Sequence, residues 1–95
     1  MSKPEKILTL HPQGKNGVNI DMEKYNTLKD YILTALKEST EIGFFDLFEQ
    51  AKGELQASFE GKVGWYFVTV KLDLEARGVI ERIPKKGSQV IRLKK

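Results

Sequence analysis

The chain has 95 residues, 40% hydrophobic and 31% charged, with 16 Lys and Arg against 13 Asp and Glu for a net charge of +3. That length supports one modest core rather than two. The absence of cysteine excludes disulfides and thiolate metal sites, and no apolar run approaches the roughly 20 residues needed to span a bilayer.

The charge is unevenly placed. From Lys62 onward, nine bases face only Asp73, Glu75 and Glu81, a surplus of six positive charges that leaves residues 1–61 with a deficit of three. A basic C-terminal third on an acidic body predicts one face that attracts anions. For Lys94 and Lys95 alone, a solvated tail is the simpler reading.

Residues 1–20 read as an extension. Ile7, Leu8 and Leu10 can form a short strand, and residues 11–17 are dense in turn formers. The apolar stretch at residues 7–10 is too short for a secretion signal, so the expectation is a cytoplasmic protein with no membrane association. The domain proper is expected over residues 21–95.

The first helix is predicted over about residues 22–37. Asp21 can cap it by accepting from the free amides of the first turn. Ile20 and Tyr25 have the spacing of a hydrophobic staple. Tyr25, Leu28, Tyr31 or Ile32, and Ala35 or Leu36 recur every three or four residues and give one buried stripe. Ile42 follows in a break that admits a short strand. A second helix is expected over residues 44–55, with Phe44, Leu47, Phe48, Ala51 and Leu55 inward. A turn anchored by Phe59 comes next.

The third helix, residues 62–77, carries two apolar stripes at about 100° per residue. One is Val63, Phe67, Val70 and Leu74; the other is Trp65, Val68, Leu72 and Ala76. Two stripes require cover on two sides. Between them runs one polar lane of Lys62, Tyr66, Thr69, Asp73 and Arg77, expected to face solvent. Gly78 suits the left-handed end of a helix. Beyond it, residues 79–83 and 89–93 alternate as strands around the turn-forming residues 84–88, which reads as a β-hairpin. Three helices followed by a basic-tipped hairpin give an α+β fold in winged helix-turn-helix order.

The run from Val70 to Arg82 also resembles the end of a winged-helix recognition helix entering its wing. Many bacterial transcription regulators have a similar Leu-Glu-x-x-Gly-x-Ile-x-Arg there, here residues 74–82. Thr9-Leu10-His11-Pro12, Gly14-Lys15, Trp65-Tyr66 and Thr69 to Asp73 further resemble a small bacterial family of single-domain winged-helix proteins without an assigned activity. The superfamily resemblance covers residues 21–93 and implies either DNA binding or protein docking, because winged helices serve both.

Two clusters carry the functional expectation. In the lane, Lys62 and Arg77 can meet phosphates or guanine, while Tyr66 and Thr69 can touch a phosphate, a base edge or a thymine methyl in the major groove. Asp73 argues against this, since a carboxylate repels phosphate; Arg77, four residues on, can offset it. In the wing, Arg82, Lys85, Lys86 and Arg92 can neutralise phosphates and give salt-sensitive affinity. The plainer role for such lysines is to guard a strand edge against aggregation.

The expected partner is therefore double-stranded DNA, bound by a small regulator. The rival is a protein-interaction module, dimerising through its N-terminal extension. Trp65 is expected to pack against the wing rather than to meet a partner or stack on a base; exposed together with Val68, it would mark a dimer or partner surface. His11 stands alone, so no metal or His-based triad can assemble from it. Residues 14–17 lack the leading glycine and the Ser/Thr of a phosphate loop. The expectation is no enzyme, no cofactor and no metal.

Overall fold

In the computed structural model, which describes residues 5–11, 13–14, 17–57, 59, 61–85 and 88–94, the chain opens with two short strands. β1 (Lys6–Leu8) and β2 (Asn19–Asp21) pair antiparallel with Ile7 opposite Ile20. Ile20 is buried and Ile7 partly so, while Leu8 and Leu10 alternate outward. The Met22 amide donates to the Glu5 carbonyl at 2.9 Å, tying the incoming chain to the start of the next helix.

α1 (Met22–Ser39) starts where its cap predicts. The Asp21 carboxylate accepts from the Glu23 amide at 2.9 Å, using a donor that the helix itself leaves unpaired. Tyr25, Leu28, Ile32 and Leu36 are its buried side chains, so the stripe runs through Ile32 and Leu36, with Tyr31 and Ala35 only partly buried beside it. The helix runs two residues further than the periodicity indicates. It ends at Thr40, whose amide reaches the Leu36 carbonyl and whose φ of 64° and ψ of −56° are unusual for a β-branched residue.

β3 (Glu41–Gly43) leads into α2 (Phe44–Leu55), which buries Leu47 and Ala51. α3 (Val63–Ala76) buries Val63, Phe67, Val70 and Leu74, so the first of its two apolar stripes forms the centre of the core. The Phe67 ring lies 5.8 Å from Phe44 and 5.6 Å from Phe48, the latter edge-on, an arrangement the ring quadrupoles favour.

α3 stops in a paired motif at Gly78, φ 76°. The Gly78 amide donates to the Glu75 carbonyl and the Val79 amide to that of Leu74, at 3.1 and 2.9 Å. Two end carbonyls are thereby satisfied, at a left-handed position that glycine adopts without steric penalty.

β4 (Ile80–Lys85) and β5 (Ser88–Leu93) form the hairpin, and β3 pairs on the far side of β5. The sheet order is β3-β5-β4. The strands extend further than the sequence suggests: Pro84 lies opposite Gln89 and Lys85 opposite Ser88. Proline is tolerated because β4 is an edge strand, where an N–H can be spared. Ile80 and Ile91 close the core from the sheet side. The fold is α+β, three helices with two small sheets, and no helix among the described residues is long and apolar enough to cross a membrane.

Candidate interaction surface beside the third helix

The middle of the polar lane is not open to water. Asp73, expected on the wet edge of α3, is 0% exposed. Its carboxylate accepts from three donors: the Tyr25 hydroxyl from α1, the Leu10 amide at 2.8 Å, and Arg77 Nε, which is shared between its two oxygens at 2.9 and 2.8 Å. Arg77 also reaches back to the Leu8 carbonyl with Nη2, 3.3 Å away.

These two side chains therefore meet the outer edge of the N-terminal strand as a neighbouring strand would. Asp73 accepts from one backbone amide and Arg77 donates to a carbonyl two residues earlier. Exposed strand edges need such partners. The segment consequently lies along α3, from Arg77 toward its amino end.

The electrostatics follow from that packing. Burial, then the bond to the Asp73 carboxylate, pushes the Tyr25 hydroxyl up to about 12. The bond to Asp73 holds the Arg77 guanidinium above its ordinary value. A second pair, Lys71 with Glu75, is also largely buried one face round, with Lys71 Nζ 4.7 Å from the Phe44 ring centre. Both pairs sit at i,i+4 on the same helix.

The rest of the lane divides. Lys62, the residue capping α3, is exposed. Tyr66 is half-buried in an aromatic chain: Trp65 stands edge-on to it at 4.9 Å, Phe59 at 5.3 Å, and Lys24 Nζ lies 5.0 Å from its ring centre. Thr69 is half-buried and faces the N-terminal segment. Arg77, its side chain 37% exposed, is engaged as above.

Trp65, expected to be covered by the hairpin, is open to solvent. It is 49% exposed and stands beside Leu10, 43% exposed, and Val18, 40% exposed. These line a shallow dip of about 170 Å³ with Thr9, His11, Gly17, Thr69 and Leu72. The second apolar stripe is thus covered in part by the N-terminal segment and left open at Trp65. The sequence pointed to cover on two sides but carried no signal for what supplies it.

In the β4–β5 hairpin, Arg82 is exposed, and Arg92 is paired with Glu81 at 2.7 Å, both half-open to solvent. Lys85 belongs to β4 by its backbone; its side chain, and all of Lys86, lie outside the described residues. His11 Nδ1 accepts from the Gln13 amide at 3.1 Å, a local turn contact. Among the described residues no three His, Asp or Glu side chains gather as metal ligands.

No curated protein and no solved structure matches the chain. Residues 6–90 match one protein family, and on that basis the chain belongs to DUF6958, a family of unknown function.

Proposed function

We propose that the chain is a winged-helix module that docks a protein through the shelf of Leu10, Val18, Trp65 and Leu72, and does not read duplex through α3. The winged-helix assignment is supported by the order of helices, the β3 strand after the first of them, and the sheet order β3-β5-β4 ending in a hairpin. Such a fold serves DNA and protein partners alike, so the site must decide.

The observation that carries the reading is the occupation of α3. Major-groove entry needs a bare helix face. Here Asp73 and Arg77 hold the Leu10 amide and Leu8 carbonyl, and the uncovered surface beside them is apolar. Exposed apolar side chains grouped in one place mark interaction sites more often than solvent-facing surface.

A second reading has its own support in the wing. Arg82 is exposed, and residues 62–95 hold nine bases against three acids. Backbone-only contact with double-stranded DNA by Arg82, Lys85, Lys86 and Arg92 would be salt-sensitive and independent of sequence.

One titration separates the two. A labelled mixed-sequence duplex is titrated at about 50 mM salt and again at higher salt, since non-specific affinity is greatest when counterions are few. Under the docking reading, Lys62→Ala and Thr69→Glu leave duplex affinity unchanged. Loss of binding on either substitution reverses the assignment in favour of DNA. Loss only in an Arg82→Ala, Lys85→Ala, Lys86→Ala variant, with a flatter salt dependence, establishes the wing as an additional backbone contact.

A further inference from the structure

We propose that β1 is an exchangeable strand: the slot between β2 and α3 is a receptor for an extended polypeptide segment, closed in cis by residues 6–10. The slot lies beneath the N-terminal segment rather than on the open shelf, and goes beyond the docking reading.

What fills the slot defines what it takes. Residues 8–10 are held on both edges through the main chain. On one edge the Thr9 amide donates to the Val18 carbonyl at 2.9 Å. On the other, the Leu10 amide donates to Asp73 Oδ1 at 2.8 Å, and the Leu8 carbonyl accepts from Arg77 Nη2 at 3.3 Å. Bonds of this kind hold any extended segment, and alternate side chains supply the selection. The inward positions are Ile7, partly buried opposite Ile20, and Thr9, which is buried with its hydroxyl bonded to the Val18 carbonyl. Lys6, Leu8 and Leu10 are exposed. The ligand class is therefore an extended peptide with an apolar residue followed, two positions on, by a small hydroxyl residue, and with free choice between and around them.

The rest of the molecule does not depend on β1. A two-stranded ribbon is marginally stable by itself, and β1 pairs with β2 over three residues. Ile7 packs on the margin of the core, whereas Ile20 belongs to it. With β1 displaced, Asp73 still accepts from the Tyr25 hydroxyl and from Arg77, so no buried carboxylate is stranded. The same pairing keeps the two clamp side chains in place for an incoming strand, which lowers the cost of ordering them.

The test uses a labelled peptide of residues 5–11 as probe, titrated by fluorescence anisotropy against the full native chain and a full-chain Ile7→Asp, Leu10→Pro variant. These substitutions weaken the cis strand and leave β2, Asp73 and Arg77 unchanged. Amide exchange of the variant should show the Thr9 N–H unprotected and those of α1 and α3 retained. Leu10→Pro alone, at an exposed position, is run alongside as the milder change and should behave in the same direction. A cis occupant lowers the apparent affinity for the same segment in trans by the fraction of time the slot is vacant. The peptide should therefore bind the variant roughly tenfold or more tightly than it binds the native chain. Within the peptide, Ile7→Asp should lose that binding and Leu8→Ser should keep it. Equal binding to native and variant chains, a released variant that takes up no peptide, or indifference to which face of the peptide is changed overturns the exchange. Retained protection of Thr9 in both variants overturns it too, since the strand would then not be held by these contacts.

Discussion

The Leu10 amide nitrogen lies 2.8 Å from Asp73 Oδ1, across 63 positions of the chain. It fixes the N-terminal segment to α3, while the other oxygen of the same carboxylate, Oδ2, accepts from the Tyr25 hydroxyl of α1. One carboxylate thus joins three parts of the molecule. Asp73→Ala would leave a buried hydroxyl and a part-buried amide without partners, each costing about 1–3 kcal/mol. Arg77, 37% exposed, can turn to water and limit the damage. The expected loss is about 3 kcal/mol, or roughly 15 °C in melting temperature for a domain of this size. Amide exchange should show the Leu10 and Thr9 N–H groups opening before the helices. A melt within about 2 °C of the native chain would mean that the carboxylate is not the joint.

Burial of Tyr25 gives the fold an alkaline limit. The hydroxyl titrates near 10 in an unfolded chain and is pushed up to about 12 here, first by desolvation and then by Asp73. Between those values the unfolded chain gives up the proton and the folded one keeps it, so stability falls as pH rises. Below pH 10 the contribution is fully present; across pH 10–12 it is lost, on the order of 2–3 kcal/mol. Tyr31, raised to about 12 by burial and by Glu54, adds in the same direction and, being more open, adds less. Denaturant midpoints measured from pH 8 to 12 should fall across that window, and Tyr25→Phe should flatten the fall while lowering stability at neutral pH. A midpoint independent of pH there would contradict the buried hydroxyl.

The helices were legible because their evidence is local. Asp21 as cap, the stripe from Tyr25 to Leu36, and Gly78 at the end of α3 each specify an end or a face from a few neighbouring residues. The apolar face of α2 is set the same way. The surface beside α3 was only half legible. The spacing of Trp65, Val68, Leu72 and Ala76 demands a cover but does not name one. What supplies it is the segment leading from β1, whose strand has three residues, too short for a period to register. Asp73 was misplaced for a related reason. An Asp with Arg four residues on reads as a surface pair, and only the distant Leu10 amide and Tyr25 hydroxyl make burial tolerable.

Thr40 holds φ 64° and ψ −56° between α1 and β3, the γ-turn region that β-branched side chains resist. Strain of this kind costs about 1–3 kcal/mol. Its side chain is exposed, so little packing is lost by trimming it. Thr40→Gly should relieve the strain at a cost of roughly 0.5–1 kcal/mol in unfolded-state entropy. The net gain should be about 1 kcal/mol, seen as a melting temperature raised by roughly 4–8 °C. Thr40→Ala keeps the Cβ and should gain much less. If alanine and glycine stabilise equally, backbone strain is not the cause.

The close approach of Gly17 to Thr9 gives the sharpest test of the N-terminal cover. A Cβ at Gly17 would stand 1.5 Å from the Thr9 carbonyl oxygen and 2.6 Å from its carbon, backbone atoms that cannot rotate away. Thr9 is itself buried, and it holds residue 18 by three bonds: its amide to the Val18 carbonyl, its hydroxyl to the same carbonyl, and the Val18 amide to its hydroxyl, at 2.9, 2.9 and 3.1 Å. Gly17→Ala must push residues 17 and 18 off Thr9 and break them, at about 0.5–1.5 kcal/mol each. The expected loss is therefore roughly 2–4 kcal/mol. It should be confined to the N-terminal segment, with the helical circular dichroism signal retained at low temperature and Trp65 emission moving to the red as its cover lifts. Gly53, inside α2 with nothing within 4 Å of its added Cβ, supplies the opposite sign: Gly53→Ala should stabilise by about 1 kcal/mol through helix propensity alone. Equal and small effects at both positions would show that Gly17 does not lie against Thr9.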